Sequence, residues 1–320
     1  MIALSDIQTA QKRLENITIR TKLIPFPLCA EDPRRLLLKP ENQQPIGAFK
    51  LRGAYNKIAA LSEDERKKGV ISYSSGNHAQ GVAYAARTLK TKSVIVMPNN
   101  APQIKREATA KLGAEIVLVG PGSDERKTKA EELAAQHGYI IVPPYNDEHI
   151  IAGQGTIGLE ILEELPGVET ILSPVGGGGL ISGVAAAIKL TNPKVKVIGV
   201  EPELAADAQA SLRQGTIVQF PAEQVSRTLA DGLRTQSIGP TNFEHIRAYV
   251  DDIITVTEDE IRKAMKYLSA NPQTVAEPSG AVATAGFIFH AKELPQTKIN
   301  VAIISGGNIE PAMLEELHRS

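Results

Sequence analysis

The sequence predicts an α/β protein made of two doubly wound domains with mainly parallel sheets. Three observations predict it. Short apolar runs of strand length alternate with amphipathic helical stretches of about ten residues or more. The alternation breaks once, at Pro143-Pro144-Tyr145-Asn146-Asp147, and then resumes. The chain has 320 residues, a length that fits one or two domains of usual size.

The first series places strands over 70–73, 93–97, 115–119 and 139–142, with helices over 77–87, 103–112 and 123–137. Strands of about five residues separated by longer helices are the mark of parallel βαβ units. The second series runs helix 155–165, strand 170–174, helix 180–190, strand 195–200 and helix 204–215. After a stretch punctuated by Gly and Pro come strand 253–256, helices 258–270 and 280–291, and strand 299–304. Residues 69–146 form a small domain on this reading, and residues 1–68 with 147–320 a large one. The polar segment before Gly69 is compatible with either.

Composition narrows the function. Lys and Arg number 35 against 36 Asp and Glu, a net charge of −1, which argues against a general nucleic-acid binder needing a basic face. Aromatics at 4% with no Trp disfavour a surface that stacks bases or sugars. A single cysteine, Cys29, excludes an intramolecular disulfide and a Cys-rich metal site. Residues 1–7 lack a secretory pattern and no apolar run spans a membrane, so a cytoplasmic, soluble protein is expected. The six histidines show no HExxH spacing, and no Gly-x-Ser-x-Gly elbow is present.

Ligands of parallel α/β sheets bind at the carboxyl ends of strands, where loops enter helices. Three such loops stand out. Ser74-Ser75-Gly76-Asn77-His78 joins a strand to a helix, and its hydroxyls, amide and free N–H groups suit a carboxylate. A helix cap needs only one such residue. Gly176-Gly177-Gly178-Gly179 removes every Cβ between a strand and a helix, so successive N–H groups can close on an anion, most naturally a phosphate. No Gly-Lys-Ser/Thr follows, which excludes a Walker loop. A dinucleotide loop is the rival, with Glu201 at a distance suited to a ribose hydroxyl. Ser305-Gly306-Gly307-Asn308 follows the last strand and reads equally as a turn. Lys50, in Ala48-Phe49-Lys50-Leu51-Arg52-Gly53-Ala54, lies on an otherwise small and apolar patch, where desolvation makes an amine nucleophilic.

Together these motifs resemble the fold-type II pyridoxal-phosphate enzymes, the tryptophan synthase β-like class, and within them the serine/threonine dehydratase and serine racemase branch. The likeness covers residues 20–307. It includes Ala152-Gly153-Gln154-Gly155-Thr156 and Ala230-Asp231-Gly232-Leu233-Arg234-Thr235. Ala48 stands where the family commonly has Ser, and Tyr145 where some racemases carry Asn.

The resemblance implies a set of roles. Lys50 holds pyridoxal 5'-phosphate covalently and then removes the Cα proton. Phe49, Asn77, Gly176, Gly177, Gly178, Gly179, Leu180, Glu277 and Ser305 surround the cofactor, with Asn77 on the ring hydroxyl and Ser305 on the ring nitrogen. Ser74, Ser75, Gly76, His78, Arg126 and Thr235 face the substrate. Ser75 is also the acid/base candidate opposite the lysine, as in racemases. Glu201, Ala205 and Asp207 supply oxygen ligands for Mg²⁺, or for Ca²⁺ or Mn²⁺. The large domain would bind the cofactor and the small one the substrate carboxylate. The expected activity is dehydration of L-threonine or L-serine to a 2-oxo acid and ammonia, in a homodimer. Serine racemase, threo-3-hydroxyaspartate ammonia-lyase, a hydroxyectoine-pathway dehydratase and a cofactor-carrying binding or regulatory protein are the alternatives.

Overall fold

The computed structural model describes the chain apart from residues 30, 75, 102, 121, 122 and 320 and the side chains of 104, 123 and 124. Ten strands are described: β1 Ile24–Phe26, β2 Arg35–Pro40, β3 Val70–Tyr73, β4 Ser93–Pro98, β5 Glu115–Val119, β6 Ile140–Ile141, β7 Thr170–Pro174, β8 Lys196–Pro202, β9 Asp252–Val256 and β10 Ile299–Ile304. They form a six-stranded sheet, β1-β2-β10-β7-β8-β9, and a four-stranded sheet, β5-β4-β3-β6. Every described pairing is parallel except β1 with β2.

Helices cover both faces of the larger sheet, and period-two alternation sorts its side chains between them. Leu172, Ile198, Ile254 and Ala302 share one core with Ile261, Met265 and Ala285, on the helices Glu258–Ser269 and Pro278–Phe289. Their neighbours Ile171, Val197, Ile253 and Val301 face the other way, onto Ile157, Ile181, Val184 and Ile246. In the smaller sheet Val70, Ile95 and Met97 pack on the helices Lys50–Ala60 and Asn77–Thr88, while Ile71, Val94 and Val96 face Ala130 of the helix Ser123–His137.

The segment before Gly69 contributes to both layers. β1 and β2 extend the six-stranded sheet. Leu51, Ala54, Tyr55 and Ile58 instead share a core with the four-stranded one.

One expected boundary moves. The helix anticipated from 155 begins at Glu148, where Asp147 caps it by accepting from the His149 and Ile150 amides. Gly153, Gly155 and Gly158 do not break this helix, because they are its contact face. A Cβ on Gly153 would lie 2.7 Å from the Arg52 carbonyl oxygen, and one on Gly158 would lie 2.9 Å from Ala187 Cβ. The stretch expected as a helix over 204–215 is a short 3-10 turn, Glu203–Ala205, followed by the helix Asp207–Gln214. Among the described residues no helix is long and apolar enough to cross a membrane.

Candidate active site

A cavity of about 520 Å³ opens between the two sheets, at the carboxyl ends of β3 and β7. Lys50 reaches it from the first turn of its helix and donates to the Pro144 carbonyl at 2.8 Å. Burial lowers the amine's pKa from its usual value to about 8, because removal from water penalises the charged form. Phe49 lies beside it, its ring centroid 5.1 Å from Nζ. The patch that looked apolar in sequence is therefore the inner wall of a cavity.

The four glycines follow β7 and open the helix Gly179–Thr191. Gly178 is left-handed, with φ +90. A Cβ there would lie 2.9 Å from Asn242 Cβ, and one on Gly177 would overlap the Tyr145 ring. The loop is bare because Tyr145, Asn242 and Leu233 press against it. Its inner side lines the cavity, and the first amides of the following helix have no intrahelical acceptor. That arrangement fits an anionic phosphate.

A polar chain crosses the opposite wall. Asn77 Nδ2 donates to Glu277 Oε1 at 2.6 Å, and Asn308 Nδ2 donates to Asn77 Oδ1 at 2.7 Å. Burial, reinforced by Asp231, pushes Glu277 up to about 7 against the pull of the Asn77 hydrogen bond. Ser305 lines the cavity and its hydroxyl donates to the Ser279 carbonyl at 3.3 Å. The 305–308 segment is thus more than a turn. A Cβ at Gly306 would run into Glu277 Oε1, and the Phe49 amide donates to the Ser305 carbonyl at 3.1 Å.

Ser74, Gly76, His78, Arg126 and Thr235 all line the same cavity. Ser75 lies outside the described residues. The His78 ring nitrogen Nε2 is 3.0 Å from the Val142 carbonyl, and burial, with Lys50 nearby, lowers its pKa to about 3. His78 is therefore neutral, and the start of the helix Asn77–Thr88 adds the positive end of its dipole to this wall. Burial also lowers the pKa of the Arg126 guanidinium. Thr235 keeps a buried hydroxyl without a partner among the described residues.

Glu201, Ala205 and Asp207 are all buried, apart from the cavity, and the two acids act on each other. Glu201 accepts from the Ala208 and Gln209 amides at 3.1 and 2.8 Å. Burial and Asp207 push its pKa well above the usual range. Both carboxylate oxygens of Asp207 are buried and make no hydrogen bond of full geometry among the described residues; burial raises its pKa to about 7, against the pull of the nearby Asp207 and Ile238 backbone amides. Buried carboxylate oxygens without a full hydrogen bond fit a hard cation. The same geometry removes the dinucleotide reading, since the Glu201 carboxylate, at the end of β8, faces the start of the next helix and does not line the cavity.

Sequence reasoning passed over two groups and gave Tyr145 no packing role. Lys105 and Asp231 pair at 2.7 Å across the cavity mouth. Tyr145 packs as a wall of the glycine loop. A buried ionic cluster of Lys39, Glu41, Arg52 and Glu160 lies behind Lys50. Sequence offered no signal for the pairings, because their members lie far apart along the chain.

The family model for pyridoxal-phosphate dependent enzymes matches residues 14–306, and the chain belongs to that family. Among curated relatives, L-threonine ammonia-lyase of Thermotoga maritima is 47% identical over 318 residues, 99% of this chain and 78% of that protein. L-threo-3-hydroxyaspartate ammonia-lyase of Saccharomyces cerevisiae is 40% identical over 306 residues, 95% of this chain and 93% of that one. Among solved structures, maize serine racemase superposes with a TM-score of 0.92 at 35% identity, covering 99% of this chain and 97% of that one.

Proposed function

We propose that the chain is a pyridoxal-phosphate-dependent ammonia-lyase that converts L-threonine and L-serine to a 2-oxo acid and ammonia. The observation that carries the reading is the Lys50 amine. It is desolvated and sits in one cavity with a bare glycine loop and with the Ser74–His78 loop. The names of the relatives support the substrate class.

Bound there, pyridoxal phosphate supplies an aldehyde for amines and a ring that accepts the electron pair left at Cα. The amides of Gly176 to Leu180 would hold its phosphate, Lys50 its aldehyde carbon, Asn77 its ring hydroxyl and Ser305 its ring nitrogen. Phe49 and Glu277 would pack and orient it. Lys50 Nζ, free as the neutral amine, takes the substrate's Cα proton. Ser305 offers a hydroxyl and no negative charge to the ring nitrogen. A hydroxyl in that place would do little to hold charge on the ring, and so would favour departure of the β-hydroxyl over return of the proton. Ser74, Ser75, Gly76 and His78 orient the substrate carboxylate at the start of a helix, and Thr235 closes the far side. Residues 1–68 and 147–320 act as the cofactor-binding domain, and residues 69–146 as the domain that presents the carboxylate loop.

Glu201, Asp207 and the Ala205 carbonyl are the proposed seat of a divalent cation, Mg²⁺ before Ca²⁺ or Mn²⁺. The support is the buried Asp207 carboxylate, whose oxygens make no hydrogen bond of full geometry among the described residues and whose neighbour is a second buried acid, Glu201. A cytoplasmic homodimer follows from the family resemblance.

One observation favours a second substrate. Arg126 lines the cavity, where a guanidinium can pair with a second carboxylate, and that suits threo-3-hydroxyaspartate. Purified enzyme is given L-threonine, L-serine and threo-3-hydroxyaspartate, with ammonia, oxo acid and D-serine measured. Ammonia from a hydroxy amino acid is expected, and none from any of them refutes the reading. D-serine as the main product would instead favour a racemase. Arg126→Ala is expected to reduce turnover of hydroxyaspartate far more than that of threonine. Equal losses would remove the second substrate.

A further inference from the structure

Behind Lys50, on the side of its helix away from the cavity, lies a cluster of four buried charges. Arg52 Nε and Nη2 donate to the two oxygens of Glu41 at 2.8 and 2.9 Å. Its Nη1 and Nη2 donate to the two oxygens of Glu160 at 2.6 and 2.9 Å. Thr156 Oγ1 accepts a further bond at 3.0 Å. Lys39 completes the set, donating to Glu160 at 2.6 Å and to the Thr21 carbonyl at 2.8 Å. Burial works against the charged forms, yet the paired carboxylates keep Arg52 protonated, and Arg52 and Lys39 hold Glu160 below its usual range.

Such a cluster is a poor source of stability, because desolvation offsets most of the attraction. It is a good source of position. Two residues along a helix turn about 200°, so a grip on Arg52 fixes the helix from the side opposite Lys50. That grip is needed because the helix meets its neighbour through glycines. A Cβ on Gly153 would lie 2.7 Å from both the Arg52 carbonyl oxygen and Gly53 Cα. A contact without protruding side chains resists sliding poorly, whereas a guanidinium fork bonded to two carboxylates is directional. The far end of the helix is tied separately, by Lys57 to Asp147 at 2.6 Å.

The grip extends to the glycine loop. Glu160 belongs to the helix Glu148–Glu164, whose backbone presses directly on the helix that opens with the loop. A Cβ on Gly183 would overlap the Ile151 carbonyl and lie 2.5 Å from the Gly155 amide nitrogen.

We propose that Arg52 is a positioning residue that sets the place of the Lys50 amine relative to the glycine loop. The proposal rests on the reading of Lys50 given above. Arg52→Lys keeps the charge and loses the fork. Lys39→Met disturbs the same cluster from β2, without touching the Lys50 helix. Both are measured in the cofactor-loaded enzyme for kcat, KM, Tm and the pH midpoint of the bound cofactor's absorbance. Arg52→Lys should lower kcat about ten- to a hundredfold, the scale of a misplaced reacting group, with KM little changed and the midpoint moved. Lys39→Met should lower Tm and keep the wild-type kcat and midpoint.

Equal losses of kcat in both variants, or a wild-type kcat and midpoint in Arg52→Lys, overturn the proposal. If Arg52→Lys does not fold, Glu41→Gln decides alone: it leaves the two bonds to Glu160, and a wild-type kcat and midpoint in it would be equally fatal. Lys50→Ala is run beside them. If it still links the cofactor, the reading of Lys50 fails; if only the Arg52 results fail, that reading stands.

Discussion

Gly178→Ala tests the cradle through two costs that can be read from its surroundings. Gly178 has φ +90 and ψ −4. A left-handed backbone costs a residue with a Cβ about 1–2 kcal/mol. The new methyl would lie 2.9 Å from Asn242 Cβ and 3.2 Å from Ile246 Cδ1. Asn242 is poorly placed to yield, since it is fully buried and donates to the Tyr145 carbonyl at 3.3 Å. Overpacking of this kind costs about 1–3 kcal/mol. The sum is about 2–5 kcal/mol, and it must appear somewhere. If the loop keeps its shape, the cofactor-free protein melts lower, by about 4 °C or more at about 2 °C per kcal/mol. If the loop relaxes, the strain returns when the phosphate is bound, and affinity falls about 30-fold or more. Thermal unfolding of the cofactor-free protein and titration with pyridoxal phosphate together capture both routes. A variant with unchanged Tm and unchanged affinity would refute the reasoning.

Three further outcomes are expected. The rate at which cofactor-free enzyme captures pyridoxal phosphate should rise with pH and level off near the Lys50 value of about 8; a rate that keeps climbing, as for an exposed lysine, would contradict the desolvated amine. Folded Glu277 keeps its proton up to about pH 7, whereas the unfolded chain loses it near 4.5, so the cofactor-free protein should lose stability as pH rises through that interval. Glu277→Gln should flatten this part of the Tm-against-pH curve, and an unchanged slope would count against the buried acid. Mg²⁺ added to protein treated with EDTA should raise Tm, by an amount corresponding to about 2.7 kcal/mol at a hundredfold excess over Kd. Asp207→Asn should abolish the rise, and a Tm indifferent to both EDTA and Mg²⁺ would remove the cation.

What the sequence made legible was local. β3, β5, β7 and β10 fall where the apolar runs end and begin, and the loops at 74–78, 176–179 and 305–308 each open onto the one cavity. Those features are carried by consecutive residues, so pattern and turn chemistry suffice. The start of the helix at Glu148 was hidden because Gly153, Gly155 and Gly158 look like breakers until the neighbouring helices are in place. The Arg52 cluster was hidden for a related reason. Glu41 and Glu160 are separated from Arg52 by 11 and 108 residues, and nothing in a surface-like Arg or Glu announces that it is buried. β1 and β2 were not anticipated, although Leu36-Leu37-Leu38 is an apolar run, because no helical stretch separates them and β1 turns back antiparallel onto β2, outside the βαβ pattern.

The most direct test of Lys50 as the cofactor lysine is chemical. Protein loaded with pyridoxal phosphate is reduced with borohydride and digested, and its peptides are mapped by mass. The reduced cofactor should be found on Lys50. Attachment to Lys105, which lines the same cavity, or to no lysine at all, would contradict the account.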